Sequence, residues 1–146
     1  MKQSISIFLV IVTSLLLYKC EPIYDGHKVI TIVNKSNREI SVQRMWGTPV
    51  NLSDTLWDCR KPVFDIEPDS LWQFNSARQR DFEYDFKYSS FLQLLIFDTE
   101  EYNSLINYDI PCNETNYTIP VKYYYQLKLE DLERMNWEVV YPPVEE

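Results

Sequence analysis

The chain has 146 residues, with 22 Asp and Glu against 14 Lys and Arg, for a formal net charge of −8. That balance lacks the basic footprint needed to displace counterions from a nucleic acid, so no nucleic-acid partner is expected. It also disfavours direct electrostatic binding to anionic lipid. One histidine and two glycines leave little material for an imidazole mechanism or a glycine-rich phosphate loop.

Lys2 gives a positive start, and residues 5–18 form an apolar run broken only by Ser6, Thr13 and Ser14. The run is shorter than the about 20 residues a spanning helix needs, and its layout is that of a secretory signal, predicted over residues 1–19. It ends Leu17-Tyr18-Lys19-Cys20, which resembles a bacterial lipoprotein signal. In that family the cysteine takes a lipid and becomes the N-terminus; Lys19 stands where the family has a small residue. The resemblance implies lipidation at Cys20 and a cell-envelope protein, outer-membrane or otherwise, held to its membrane by that lipid. An ordinary secreted protein and an uncleaved anchor are the other readings of the same segment. Lipidation would also resolve the odd count of three cysteines, leaving Cys59 and Cys112. These are either a disulfide pair, stabilising by about 4 kcal/mol in the chain-entropy model, or two buried free thiols.

Residues 20–27, with Pro22 and Gly26, read as a tether. Residues 28–33 are rich in β-branched side chains and residues 38–45 alternate, with Ile40 and Val42 facing one way. The polar turn between them predicts a hairpin. Residues 46–59 read as a long loop, and 62–66 and 71–74 as short strands around a Glu67-Pro68-Asp69-Ser70 turn. In 81–88, Phe82, Tyr84, Phe86 and Tyr88 alternate with Asp81, Glu83, Asp85 and Lys87, predicting a strand with one wet face. Residues 91–97 are almost continuously apolar and predict a central strand buried on both sides. Residues 99–107 are left open between a short helix and an irregular link. Residues 122–128 and 137–141 read as strands. Between them Leu129 to Met135 turns helical, with Glu130 and Asp131 in the first turn and Arg134 near the end. So short a helix must dock on the sheet.

The sum is an all-β, mostly antiparallel β-sandwich, Ig-like or transthyretin-like, with one short C-terminal helical turn. It forms one domain over residues 28–143, followed by a tail at 144–146. A parallel sheet is not expected, because no long helical crossovers separate the strands.

The stretch Tyr125-Gln-Leu-Lys-Leu-Glu-Asp-Leu-Glu-Arg-Met-Asn-Trp-Glu-Val-Val-Tyr-Pro-Pro143 resembles the ending of a group of small exported proteins of Bacteroidota-type bacteria. Their pattern is Tyr-x-Leu-Thr-Leu-Glu-Asp-Leu-x-x-x-Asn-Trp-x-x-x-Tyr-Pro. The resemblance implies a lipoprotein with a compact β-rich domain and no assigned activity. Lys128 stands where the group has Thr, a natural helix N-cap; Leu132 and Trp137 must then hold the turn. Asp54-Thr55-Leu56 and Asp69-Ser70-Leu71 look like the Asp-Ser/Thr-apolar acceptors of that bacterial group, which makes Thr55 and Ser70 candidate O-glycosylation sites; triplets this short also arise by chance. Asn34, Asn51, Asn113 and Asn116 begin Asn-x-Ser/Thr triplets, which matter only in a eukaryotic secretory pathway.

His27, in the tether, lacks the rigid support a catalytic imidazole needs. His27, Cys59 and Cys112 have no zinc-ligand spacing, so neither a metal nor another cofactor is expected. Asp81, Glu83 and Asp85 on a strand would stand in a row, about 6–7 Å apart, whereas calcium needs ligands wrapped around a point; a solvated face is preferred. No carboxylate pair can be nominated on opposite walls of a glycosidase cleft. The loop tryptophans Trp46 and Trp57 are left between two roles, ligand stacking and core filling, while Trp72 and Trp137 are assigned to the core. The functional expectation is a non-catalytic binding or structural module for an envelope protein partner. The alternative is a carbohydrate-binding surface lipoprotein, and a small carboxylate-dependent hydrolase comes third.

Overall fold

The computed structural model describes residues 26–47, 62–76, 80–106, 110 and 119–143. The expectations for residues 1–19, Cys20, Thr55, Trp57, Cys59 and Cys112 lie outside these residues. In chain order the elements are β1 (Val29–Asn34), β2 (Ile40–Trp46), β3 (Val63–Ile66), β4 (Leu71–Asn75), α1 (Phe82–Phe86), β5 (Leu92–Asp98), α2 (Thr99–Leu105), β6 (Tyr123–Leu127), α3 (Leu129–Arg134) and β7 (Glu138–Tyr141). They form two sheets, β4-β1-β7 and β3-β2-β5-β6, mostly antiparallel and not closed into a barrel.

One core lies between the sheets. Ile30, Ile32, Phe74 and Val139 meet Ile40, Val42, Leu92, Leu94, Ile96, Tyr125 and Leu127 there. The period of two along each strand puts these residues on the inner faces. The reverse face of β5 is also buried: Leu95 and Phe97 pack with Tyr102 of α2 and with Ile119. That is why β5 reads as a continuous apolar run, as the sequence predicts for a central strand.

Three expectations are corrected. β1 and β2 do not form a hairpin, since β1 pairs with β4 and β7, and β2 with β3 and β5. The polar turn is an arch crossing from one sheet to the other, and residues 67–70 cross back between β3 and β4. A short polar turn suits either geometry. Here the arch sets Ile30 and Ile32 opposite Ile40 and Val42, burying both faces at once. Second, β1 and β7 are parallel, with Ile32 beside Val139. They lie at opposite ends of the described chain, so nearly the whole domain serves as the crossover that parallel pairing requires.

Third, residues 82–86 are helical. Asp81 caps the helix by accepting from the Tyr84 amide at 2.7 Å, and Glu83 and Asp85 complement its dipole. The four alternating aromatics are equally two i, i+4 pairs on a helix. Phe82 and Phe86 pack on the core, while Tyr84 and Tyr88 meet on the outside with ring centroids 5.1 Å apart. The three acidic residues therefore do not form a row on a strand. With α2 and α3, the described residues carry three short helices rather than the one expected.

Both arches meet at Asn34, which is fully buried. Its side-chain amide donates to the carbonyls of Arg38 (2.7 Å), Ile66 (2.9 Å) and Glu67 (3.2 Å). Its Oδ1 accepts from the amide and hydroxyl of Ser36. A side chain so committed offers no free amide to a glycan, although it begins an Asn-x-Ser triplet. Ser70, in the second arch, is partly exposed and turns its hydroxyl toward the Pro68 carbonyl at 3.4 Å. Asp69 before it is in the left-handed region at φ 55°, a conformation its short polar side chain tolerates.

The α2 N-cap is Asp98, which accepts from the Glu101 amide at 3.1 Å and pairs with Arg38 at 3.0 Å. These bonds, the Glu101 amide first, hold its carboxyl below the usual carboxylate range. A depressed folded value means that the contribution is complete above the unfolded value, near pH 4, and is lost as pH falls through the folded one. Asp98→Asn keeps a capping side chain but loses the charge. Its urea midpoint is expected below wild type at pH 7, with the deficit shrinking as pH falls through the folded Asp98 value. A deficit unchanged by pH would show that the carboxylate charge contributes nothing.

At α3, Leu132 is fully buried and Trp137 is 6 % exposed, as the sequence requires of them. Asp131 adds a bond, reaching back to the Lys128 amide at 2.9 Å. That is half of a capping box; a lysine ammonium has no lone pair to supply the other half. Lys128→Thr is therefore expected to stabilise the domain by about 1 kcal/mol, measured by urea unfolding. Beyond the helix, Asn136 and Trp137 are both left-handed (φ 51° and 62°), and the Trp137 amide returns to the Leu132 carbonyl at 2.8 Å. This reversal sends β7 into the other sheet, where the Tyr125 hydroxyl of β6 donates to the Val140 carbonyl at 2.6 Å. Burial raises the Tyr125 pKa, with Tyr123 and Tyr141 adding to the shift.

Candidate functional site

The inner face of β2 reads Ile40, Val42, Arg44, Trp46. The first two are buried in the core. The last two reach the end of the sandwich, where α1 plugs the gap between the sheets. Phe82 fills that plug with no exposure; its ring lies 5.6 Å from Phe74, 5.9 Å from Trp137 and 6.3 Å from Trp46. Above the plug is a groove of about 320 Å³, lined by Arg44, Trp46, Arg80, Tyr84, Asp85 and Tyr88 among others. Its volume is at the lower end of ligand-binding clefts, about 300–1,000 Å³.

The two guanidiniums are held on aromatic faces. Arg44 sits 4.7 Å above the Phe74 ring and Arg80 4.3 Å above that of Tyr84, within cation–π range. Arg44 is partly buried, which lowers its pKa; Asp85 opposes that shift. An arginine nonetheless stays charged in a protein. The Asp85 carboxylate accepts from the Ser76 hydroxyl at 2.8 Å. Among the described residues neither Arg44 nor Arg80 has a salt-bridge partner. By contrast Arg38 pairs with Asp98, Lys122 with Glu101 and Arg134 with Asp131. Tyr84 and Tyr88 bring their hydroxyls to 3.1 Å, and Tyr88 is 74 % exposed.

Trp46 therefore does two things at once. It packs on the core, with its ring edge-on to Phe86 at 5.1 Å, and it lines the groove. Trp72 stacks on Phe64 at 4.0 Å and on Phe74 at 5.4 Å and belongs to the core, as does Trp137.

His27 is not in a loose tether. Its ring stacks on Trp137 with centroids 4.1 Å apart. Its Nδ1 lies 2.9 Å from Glu83 Oε1, and its amide donates to the same carboxylate. Its carbonyl accepts from the Phe82 amide at 2.9 Å. Gly26 lies so close that an added Cβ would come within 2.5 Å of Asp81, so the entering chain is clamped to α1. Burial pushes the Glu83 pKa up, but the bonds from the His27 ring and from the Glu83 and His27 amides outweigh it and leave the carboxyl low. The imidazole is rigid but engaged in this clamp.

Among the described residues no group of three His, Cys, Asp or Glu is placed to hold a metal, and no helix is long and apolar enough to cross a membrane. No protein-family profile, curated protein or solved structure matches the chain.

Of the sequence-nominated positions among the described residues, Trp46 lines this groove and Ser70 does not. Arg44, Arg80, Tyr84 and Tyr88 were missed. One signal was available: continuing the alternation from Ile40 and Val42 puts a charged residue, Arg44, on the buried face, where a charge is costly without a task. The tyrosines were hidden by reading α1 as a strand.

Proposed function

We propose that this protein is a non-catalytic binding module of a bacterial cell envelope, an Ig-like or transthyretin-like sandwich carried on a lipid at Cys20, and that it takes its ligand in the groove above α1. The observation that carries this reading is the groove itself, in which aromatic rings and two arginines that form no salt bridge among the described residues meet at an open end of the sandwich. The engagement of the one histidine with Glu83 and Trp137 supports a binding role over a hydrolytic one. A protein partner in the envelope is one occupant. The carbohydrate reading is favoured by Trp46 and the exposed Tyr88, since flat rings stack on sugars.

Fractionation and protease shaving of intact cells, wild type beside Cys20→Ala, test the placement. The wild type is expected in the membrane fraction and the variant in the soluble one. Shaving separates the surface face from the periplasmic face. If the variant fractionates with the membrane like the wild type, the lipid-anchor reading is wrong.

A further inference from the structure

The geometry points to an acidic saccharide as the ligand of this groove, with a sugar-borne carboxylate received by Arg44 and Arg80 and the ring lying against the tyrosines. This rests on the binding-module reading above and adds the ligand class to it. The protein carries an excess of acid, and its surface cations Arg38, Lys122 and Arg134 are each neutralised by a nearby carboxylate. In the groove, neither arginine has such a pair among the described residues. Arg44 is a partly buried cation that has lost part of its hydration and holds no ion pair among the described residues. Arg80 lies on a ring rather than on an acid. Stacking on aromatic faces fixes the planar guanidiniums while leaving their N–H edges to donate, the geometry suited to bidentate recognition of a carboxylate. Among the described residues the acid lining the groove is Asp85, which is hydrogen-bonded to Ser76 and whose charge also favours the Arg44 cation. Near the cations stand the paired Tyr84 and Tyr88 hydroxyls, donors and acceptors that match sugar hydroxyls, and the open face of Tyr88. A simple anion site needs no exposed ring, and a neutral-sugar site needs no pair of arginines.

The test is tryptophan fluorescence titration of the folded domain with a galacturonic acid trisaccharide, beside the neutral galactose trisaccharide and a short polyglutamate peptide. The uronic trisaccharide is expected to bind about tenfold or more tighter than the neutral one, the increment of a charge-assisted hydrogen bond, and to weaken as salt is raised. Arg80→Gln, at an exposed position, and Arg44→Gln should each erase that preference, bringing the uronic sugar down to the affinity of the neutral one in the same variant. Arg44→Lys, which keeps the charge and the packing stem, should restore only part of it. Equal affinity for the two sugars overturns the acidic-ligand inference and leaves the binding module standing. Polyglutamate binding as tightly as the uronic sugar overturns it in favour of an acidic peptide. Binding that survives both glutamine variants places the ligand elsewhere. No binding to any probe defeats the inference together with the carbohydrate reading.

Discussion

Asn34→Ala is expected to lower the unfolding free energy by about 3 kcal/mol, an effect usually reserved for large core truncations. The side chain makes five hydrogen bonds from a fully buried position. Its two amide hydrogens reach three carbonyls, so the neighbouring Ile66 and Glu67 oxygens share one. An ordinary bond contributes about 1 kcal/mol net, but a buried acceptor left without its donor costs about 1–3 kcal/mol. The backbone amide of Asn34 also donates to the Ser70 carbonyl at 2.9 Å, so the residue ties both sheet-to-sheet arches at one point. Asn34→Asp should be worse than alanine at neutral pH, because a carboxylate has no N–H and would face three carbonyl oxygens. Its folded pKa would be raised, so its deficit is full above that value and shrinks as pH falls toward the unfolded value, near pH 4. Urea unfolding of both variants beside wild type at pH 7 and pH 4 measures this. A loss under 1 kcal/mol for alanine would show that the arches hold without the amide.

Phe82→Ala is expected to cost about 3–5 kcal/mol. The ring is fully buried among Phe74, Trp137 and Trp46, and no neighbouring strand can collapse into the space without moving α1. The same change should loosen the clamp at His27, whose carbonyl accepts from the Phe82 amide, and should redden Trp46 and Trp137 emission as water reaches them. Tyr88→Ala, six residues on and 74 % exposed, should change stability by less than about 0.5 kcal/mol. This pair of variants distinguishes the helix from the strand that the alternating pattern suggests. On a strand, Phe82 and Tyr88 would share one face and suffer alike.

That contrast shows how far the sequence was readable. β5 was legible because a run buried on both faces has no polar alternation to confuse, and α3 because its acids and its arginine sit where the helix dipole wants them. α1 was not legible, because four aromatics at spacing two fit one strand face and two helical i, i+4 pairs equally well. Asp81 decides between them only when its carboxylate is seen on the Tyr84 amide. The hairpin was misread because turn composition reports that the chain reverses, not whether it stays in the same sheet. The parallel β1–β7 pair depends on contacts between the two ends of the domain, which no local window contains. For the groove, Trp46 was visible by its type, but its partners lie on β2 and on and beside α1 and are assembled only by the fold.

The most direct test of the groove as the ligand site is amide chemical-shift mapping on the isotopically labelled domain, titrated with mixed neutral and uronic oligosaccharides. Shifts should concentrate at Arg44, Trp46, Ser76 and residues 80–89, leaving the far arches around Asn34 and Ser70 unmoved. Shifts centred instead on the outer edge of β6 or on the arches, or none at all up to millimolar sugar, would contradict the account.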